Sequence, residues 1–216
     1  MGDRDSTAGC TRCWLGPIRS AAWLSWLALG ALGLAGSAAT VELYRVRAAV
    51  AVTDTANGGW LQASFPVENF QRYTSPFGNR VNPVTGRWQF HNGLDIAAPM
   101  GSYIRNWWAG KVVELSDHTA CGTMVVVQSG QWQHIYCHMQ GSVQRTPNGP
   151  VLLDPAGGIQ IHIGQHVPTS ARIGRVGTSG RSTGPHLHWG LKYADRYINP
   201  ADVLREMRRQ HSLAAR

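Results

Sequence analysis

From residue 72 onwards, short apolar runs alternate with clusters of glycine, proline, asparagine and serine, which is typical of strands joined by tight turns. The pattern predicts strands at residues 111–115, 124–127, 134–139, 160–163, 173–176 and 186–193. The fold class that follows is mostly β, with a compact antiparallel β-sheet domain over residues 72–204.

One helix is predicted near the end of the chain, at residues 200–210. Asn199 can cap its first turn, and Pro200 suits the first helical position. The arginines that follow complement the negative end of the helix dipole. We assign residues 205–216 to a basic C-terminal tail.

An uncharged, apolar stretch at residues 21–40 follows an arginine-bearing start of the chain, which is the layout of an export signal or a membrane anchor. Its length favours an uncleaved transmembrane helix, while the small residues at 36–39 keep a cleaved signal peptide as the alternative. By the positive-inside rule, residues 1–20 are expected in the cytoplasm. Residues 41–71 are then a linker, and the β domain faces the periplasm or the exterior.

The formal net charge of +8 indicates attraction to polyanions, but it does not choose among lipid headgroups, wall polymers and nucleic acid. The sequence has no phosphate-binding glycine loop, no RNA-binding aromatic motif and no zinc-finger spacing. We therefore expect no nucleic-acid partner. Nothing in the sequence indicates an obligate protein partner.

The four cysteines form two pairs. Cys10 and Cys13 make a single C-x-x-C before the apolar stretch, which is a weak metal signal without a second such pair. Cys121 and Cys137 lie within the β domain, where an oxidising compartment favours a disulfide over two buried thiols. A hairpin with its loop at residues 128–130 would place position 121 opposite position 137.

Two segments supply candidate metal ligands. His186 and His188 are separated by one residue in a β-like run, so both side chains are predicted to point to the same strand face. His91 and Asp95 come from FHNGLDIAAP, whose glycine and proline disfavour a helix. His91, Asp95 and His188 form a His-Asp-His set, and three protein ligands with one open position are typical of catalytic zinc. Manganese or iron would also accept these ligands.

A metal-dependent hydrolase also needs a proton acceptor, and the chain has no helical H-E-x-x-H motif. None of its four glutamates neighbours a candidate ligand. The acceptor is therefore expected to be a histidine, either His186 or His138 in the run HIYCHM. Strand alternation places His134 and His138 on one face and Cys137 on the other, so the disulfide is expected to lie away from the site.

Together these motifs resemble the M23 peptidases, the lysostaphin and LytM group. The resemblance covers residues 74–204 and rests on SPFGNRVNPVTG, FHNGLDIAAP, YCHM and GRVGTSGRSTGPHLHWG. It implies a compact antiparallel β domain with a long groove. Two departures concern that groove: Cys137 stands where the family usually has Ala, and residues 142–160 form a longer link.

The resemblance also implies a role for each site residue. The expected zinc ligands are His91, Asp95 and His188, and the expected catalytic histidines are His138 and His186. One zinc ion per chain would serve the hydrolysis of a peptide bond in the peptidoglycan stem or crossbridge. One histidine would take the proton of the attacking water, and the other would hydrogen-bond the developing oxyanion.

Three other functions stay open. A non-catalytic M23-like domain that binds the wall and activates a separate amidase is the strongest alternative, although all five expected residues are present. A D-alanyl-D-alanine metallopeptidase also uses a His-Asp-His zinc site, but it needs an acidic residue shortly before its final H-x-H, and residues 178–185 contain none. A basic polyanion-binding protein is the third.

Overall fold

The computed structural model describes residues 59–82 and 85–216, so residues 21–40 and the Cys10–Cys13 pair lie outside the described residues. The described part is mostly antiparallel β-structure, which confirms the predicted fold class. In chain order its strands are β1 (Arg72–Ser75), β2 (Gly78–Val81), β3 (Trp88–His91), β4 (Leu94–Ala97), β5 (Tyr103–Arg105), β6 (Gly110–Ser116), β7 (Thr123–Ser129), β8 (Trp132–Met139), β9 (Ser142–Thr146), β10 (Gly149–Asp154), β11 (Ile159–His162), β12 (His166–Val167), β13 (Arg172–Arg175), β14 (His186–Tyr193) and β15 (Arg196–Ile198).

Eight of the described strands form the central sheet, in the order β1-β4-β14-β8-β7-β6-β12, with β15 added beside β14. The pairings of β14 with β4 and with β8 are both antiparallel. Leu187, Trp189 and Leu191 on one face of β14 are fully buried in the core. His186 and His188 therefore face the other side of the sheet, as the alternation of a strand requires.

Smaller sheets flank the central one. The longer link noted in the sequence folds into a three-stranded sheet, in the order β11-β10-β9. β5 pairs with β13, and β2 pairs with β3 in an antiparallel ladder that places Gly78 opposite His91. This last pair leads the chain directly into the first candidate ligand.

Four tryptophans occupy the centre of the hydrophobic core: Trp60, Trp107, Trp132 and Trp189, each at most 3% exposed. Their rings meet edge to face, with centroids 5.4–5.9 Å apart, a geometry that aromatic pairs prefer. Trp60 lies in a short 3-10 helix, Gly59–Gln62. Part of the region that the sequence assigns to a linker therefore packs into the domain.

The C-terminal helix spans Pro200–Ala214, so it begins where predicted and continues into the residues assigned to a basic tail. The Asn199 side chain accepts a hydrogen bond from the Ala201 N–H, which is the expected cap. Val203, Leu204 and Met207 bury one side of the helix in the core. Among the described residues, no helix combines the length and the apolar character that a membrane crossing requires.

The β7–β8 hairpin has a different turn from the one predicted. Ser129 pairs with Trp132, so the turn consists of Gly130 and Gln131 alone, with Gly130 in the left-handed region at φ 56. The predicted loop at residues 128–130 is therefore wrong. The register derived from it, with position 121 opposite position 137, is also wrong.

A β-bulge near the other end of this hairpin shifts the register by one further residue. Between the pairs Val125–Tyr136 and Thr123–Met139, β8 contains one residue more than β7. Cys121 precedes β7, and the chain turns at Gly122, where φ is 63. The structure joins Cys121 to Cys137 by a disulfide in this arrangement.

Candidate metal centre

Neighbouring strands bring the three candidate ligands together. His91 is the last residue of β3, and Asp95 lies in β4, which starts three residues later. β4 pairs with β14 so that Asp95 is the direct cross-strand partner of His188. Side chains of such partners lie close together on one face of a sheet, so the ladder itself brings the carboxylate to the imidazole.

The three ligand atoms form a nearly equilateral triangle. His91 Nε2 lies 3.0 Å from His188 Nδ1 and 3.1 Å from Asp95 Oδ1. His188 Nδ1 lies 2.9 Å from the same carboxylate oxygen. Each residue is at most 9% exposed, so these atoms face one another rather than bulk water.

This donor set fits a zinc ion. Two imidazole nitrogens and a carboxylate oxygen are typical zinc ligands, and tetrahedral ligands at zinc bond lengths lie roughly 3.3 Å apart, close to the observed spacing. His91 Nδ1 donates to the Pro76 carbonyl at 2.7 Å, which orients the ring so that its Nε2 is directed at the triangle. The residues therefore match the metal that the family resemblance implies.

Electrostatics favour the protonation states that a cation needs. Burial raises the pKa of Asp95, but hydrogen bonds from His188 and His91 outweigh burial and hold that pKa below its usual range. Burial also lowers the pKa of His188, against the opposing effect of Asp95. Asp95 is thus a carboxylate and His188 a neutral imidazole, as metal ligands must be.

Gly93 makes room for the His188 ring. A Cβ at position 93 would lie 2.6 Å from two ring atoms of His188 and 2.8 Å from the Trp189 carbonyl oxygen. A residue with a side chain would push the ring or the strand away. In the sequence this glycine indicates only that a helix is disfavoured, and its role beside the ligand becomes visible in the structure.

His138 and His186 lie next to the triangle, with ring centroids 4.8 Å apart. His138 Nδ1 donates to the Ser179 carbonyl, and His186 Nδ1 donates to the Gly184 carbonyl, each at 2.8 Å. In the neutral tautomer fixed in this way, Nε2 is free to accept a proton. Burial lowers the pKa of His138 to about 4, although the Ser179 hydrogen bond opposes the shift, so this ring is a neutral base near pH 7.

The face of β8 that carries His138 differs from the prediction. His134 and Tyr136 are fully buried in the core, and plain alternation would send His138 there as well. The bulge, with a left-handed backbone at His138 (φ 62), turns its ring into the groove, and Met139 takes the core position. Bulges commonly re-aim a side chain in this way near active sites.

The predicted position of the disulfide is wrong for the same reason. Cys137 is the cross-strand partner of His188 and shares its face of the sheet. It packs against Met124 and Val126, which line the groove. Cys121 contacts the groove on both sides of the metal centre. The disulfide is therefore part of the groove.

Two adjoining cavities form this groove. One, of about 270 Å³, contains the five candidate site residues. The other, of about 380 Å³, extends over β7, β8 and β14, where Met124, Val126 and Ile135 form an apolar floor and Glu114 and Lys192 add charge. An extended chain could therefore lie across the sheet and pass the metal centre, as the family resemblance implies.

Two further residues of the site were not predicted from the sequence. Arg80 Nη2 lies 3.7 Å from Asp95 Oδ2, the carboxylate oxygen that faces away from the histidine nitrogens. Ser179 holds the His138 ring through its carbonyl, while its hydroxyl donates to the Met139 carbonyl at 2.8 Å. Arg80 lies in the motif SPFGNRVNPVTG, and Ser179 lies in GRVGTSGRSTGPHLHWG. The motifs therefore indicated which segments form the site, but not that these two residues contact Asp95 and His138.

The remaining histidines lie elsewhere. His134 is fully buried against Trp107, with ring centroids 4.8 Å apart, and it therefore does not reach the groove. The others in the described part of the chain are exposed, namely His118, His162, His166 and His211.

Comparison with known proteins agrees with this geometry. The model of peptidase family M23 matches residues 89–149 and 154–200, which is half of the chain. The peptidoglycan DD-endopeptidase ShyA of Vibrio cholerae is 35% identical over 148 residues, which are 66% of this chain and 30% of ShyA. The DD-carboxypeptidase/endopeptidase Mpg of Neisseria meningitidis is 30% identical over 135 residues, or 62% of this chain and 27% of Mpg. The chain thus spans less than a third of the length of these relatives.

Solved structures of peptidases also match this chain. A zinc-containing peptidase from Vibrio cholerae matches with a TM-score of 0.51 and 30% identity, over 62% of this chain and 37% of that one. The catalytic domain of lysostaphin from Staphylococcus simulans matches with a TM-score of 0.50 and 19% identity, over 62% of this chain and 92% of that one, which shows the fold. The chain belongs to peptidase family M23.

Proposed function

We propose that this chain is a zinc-dependent endopeptidase that hydrolyses peptide bonds of bacterial peptidoglycan, in the stem or in the crossbridge. The observation that carries the proposal is the His-Asp-His triangle with two further histidines beside it in an open groove. The names of ShyA and Mpg support the choice of wall peptide as substrate.

The chain's own residues have separate tasks in this reaction. Zinc held by His91, Asp95 and His188 would polarise the scissile carbonyl and acidify a water molecule. His138 accepts the proton of the attacking water at Nε2, because its Nδ1 is already committed to the Ser179 carbonyl. His186, whose Nε2 lies 3.7 Å from Asp95 Oδ1, would hydrogen-bond the developing oxyanion from Nε2. Because its Nδ1 already donates to the Gly184 carbonyl, it can do so only when the ring carries a second proton.

The non-catalytic alternative has less support. A domain that only binds the wall and activates an amidase needs neither a ligand triangle nor a base beside it. Here all five residues lie together in one cavity, with Asp95 held as a carboxylate and His138 as a neutral base. We therefore favour the enzyme.

The site of action follows from the substrate and from the start of the chain. We propose that residues 21–40 anchor the protein in the membrane, with the β domain on the periplasmic or exterior side, or that they direct its secretion if they are cleaved. The charge-free stretch behind several arginines supports this placement. The proposal needs no nucleic acid and no obligate protein partner.

Metal content and wall hydrolysis, measured on the same variants, test the proposed function. Replacing His91, Asp95 or His188 by Ala should abolish both bound zinc and the release of soluble fragments from purified peptidoglycan. His138→Ala should keep about one zinc while turnover falls roughly 10²- to 10⁴-fold. His118→Ala is the matched control and should behave like the parent. If the parent and all variants release equal fragments, the enzyme assignment is wrong.

A further inference from the structure

The Cys121–Cys137 disulfide lies at the point where the metal centre meets the rest of the groove. Cys137 is fully buried beside His188, whereas Cys121 is partly exposed. The bond ties the loop at residues 117–122 to the end of β8, immediately before His138.

His138 needs support for its backbone conformation. Its φ of 62 lies in the left-handed region, which residues other than glycine adopt at an energetic cost. The His138 N–H donates to the Cys121 carbonyl at 2.8 Å, and the ring donates to the Ser179 carbonyl. If the backbone relaxed to an extended conformation, strand alternation would turn the ring towards the core.

The loop that supplies the Cys121 carbonyl is otherwise held by hydrogen bonds and close packing. Residues 117–120 are exposed. The Ala120 carbonyl accepts the Arg181 N–H at 2.9 Å, and Gly122 packs against the backbone of Ser179. Water competes for exposed hydrogen bonds of this kind, but it cannot displace a covalent link.

We infer that the Cys121–Cys137 disulfide is a positioning element for His138. It keeps the Cys121 carbonyl against the His138 N–H, so that the left-handed backbone persists and the ring stays in the groove. The inference rests on the proposed function in one respect, because the ring that is positioned is the one that accepts the proton. The disulfide itself touches neither the proton nor the metal.

The test replaces both cysteines in the full chain, as Cys121→Ala with Cys137→Ala. Bound zinc should stay near one equivalent, and the apparent KM for purified peptidoglycan should stay within about twofold. The kcat should fall roughly 10- to 100-fold, the range for misplacing a reacting group by about 1 Å. Cys121→Val with Cys137→Val retains more of the buried volume and replaces the first variant if that one does not fold.

A double-mutant cycle separates positioning from a general loss of structure. In the His138→Ala background, removing the disulfide should cause little further fall in kcat, because the residue that it positions is absent. An equal fall in both backgrounds would overturn the inference. A rise in KM alone would also overturn it, since the disulfide would then shape the groove and not the base.

A readout without substrate keeps this inference distinct from the proposed function. In the parent, nitrogen NMR of the His138 ring should show one tautomer, with the proton on Nδ1, and in the double-cysteine variant it should show averaging of both tautomers. Cys10→Ala with Cys13→Ala removes the other two thiols and should leave both the spectrum and the kcat unchanged. An unchanged His138 spectrum after loss of the disulfide overturns the inference, even if the parent hydrolyses no wall.

Discussion

Gly93 decides how closely His188 can approach the other two candidate ligands. In Gly93→Ala the new Cβ would lie 2.6 Å from the His188 ring, so the ring must leave its present position in the triangle. We expect zinc affinity to fall roughly 10- to 100-fold, the range for losing support of a metal ligand. Competition with a chromophoric chelator measures this change.

Gly184 provides the matched control, because a Cβ added there meets no atom within 4 Å. Gly184→Ala should therefore bind zinc like the parent. Equal zinc affinity in the two variants would show that the space beside His188 is not limiting.

His134 should make the fold sensitive to acid. Neither ring nitrogen has a partner among the described residues, and burial lowers its pKa to about 3. The unfolded chain binds a proton near pH 6.5 and the folded one does not, so stability is full above pH 6.5 and is lost as the pH falls towards 3. His134→Leu should remove about 2 kcal/mol of the stability loss between pH 7 and pH 5. Urea unfolding at the two pH values measures it.

The exposed His118 is the control for that experiment. His118→Leu should lose as much stability between pH 7 and pH 5 as the parent does. If His134→Leu showed the same loss as well, the buried imidazole would not be the group responsible.

At the residue level, the sequence identifies the chemistry of the site better than its placement. Period-two alternation is valid for His186 and His188 because β14 is regular there. It fails at His138, because a bulge adds one residue to β8 and the backbone at His138 has a positive φ. The sequence HIYCHM does not predict this bulge, because the bulge depends on how β7 and β8 pair.

At the element level, residues 59–71 should behave as part of the domain. Trp60 is 1% exposed, packs against Trp107 and Trp132, and donates its backbone N–H to Gln210 Oε1 at 3.1 Å. A chain that starts at residue 72 loses these contacts, and we expect it to lose roughly 3–5 kcal/mol, the usual cost of removing a buried tryptophan. Urea unfolding measures the difference.

A chain that starts at residue 59 is the matched control, because it keeps Trp60 and the short 3-10 helix around it. It should be more stable than the chain that starts at residue 72 by that amount. If the two shortened chains were equally stable, the packing of residues 59–71 would contribute nothing.

Sequence periodicity explains why the strands were predicted and why the burial of residues 59–71 was not. Short apolar runs bounded by turn residues mark β7, β8 and β14. Residues 59–71 contain no repeat of two or of 3.6 that would indicate a buried face. Their burial depends on tryptophans contributed by distant strands, which a local pattern does not record.

For the whole molecule, the proposed placement outside the cytoplasm can be tested directly. Residues 1–72 fused to a reporter enzyme that is active only outside the cytoplasm should give activity, because the arginines before residue 21 keep the start of the chain inside. Removing residues 21–40 from the fusion should abolish the activity. A fusion that is active only in the cytoplasm would contradict the proposed location.

The central position of β14 affects the order in which the molecule can be assembled. Its neighbours, β4 and β8, are synthesised long before it, yet β14 must insert between them. Pairing between such distant segments forms slowly, because a long loop has to close first. His188 arrives with β14, so a partly synthesised chain carries His91 and Asp95 but no complete triangle. The three candidate ligands therefore come together only after β14 has been synthesised and has paired with β4 and β8.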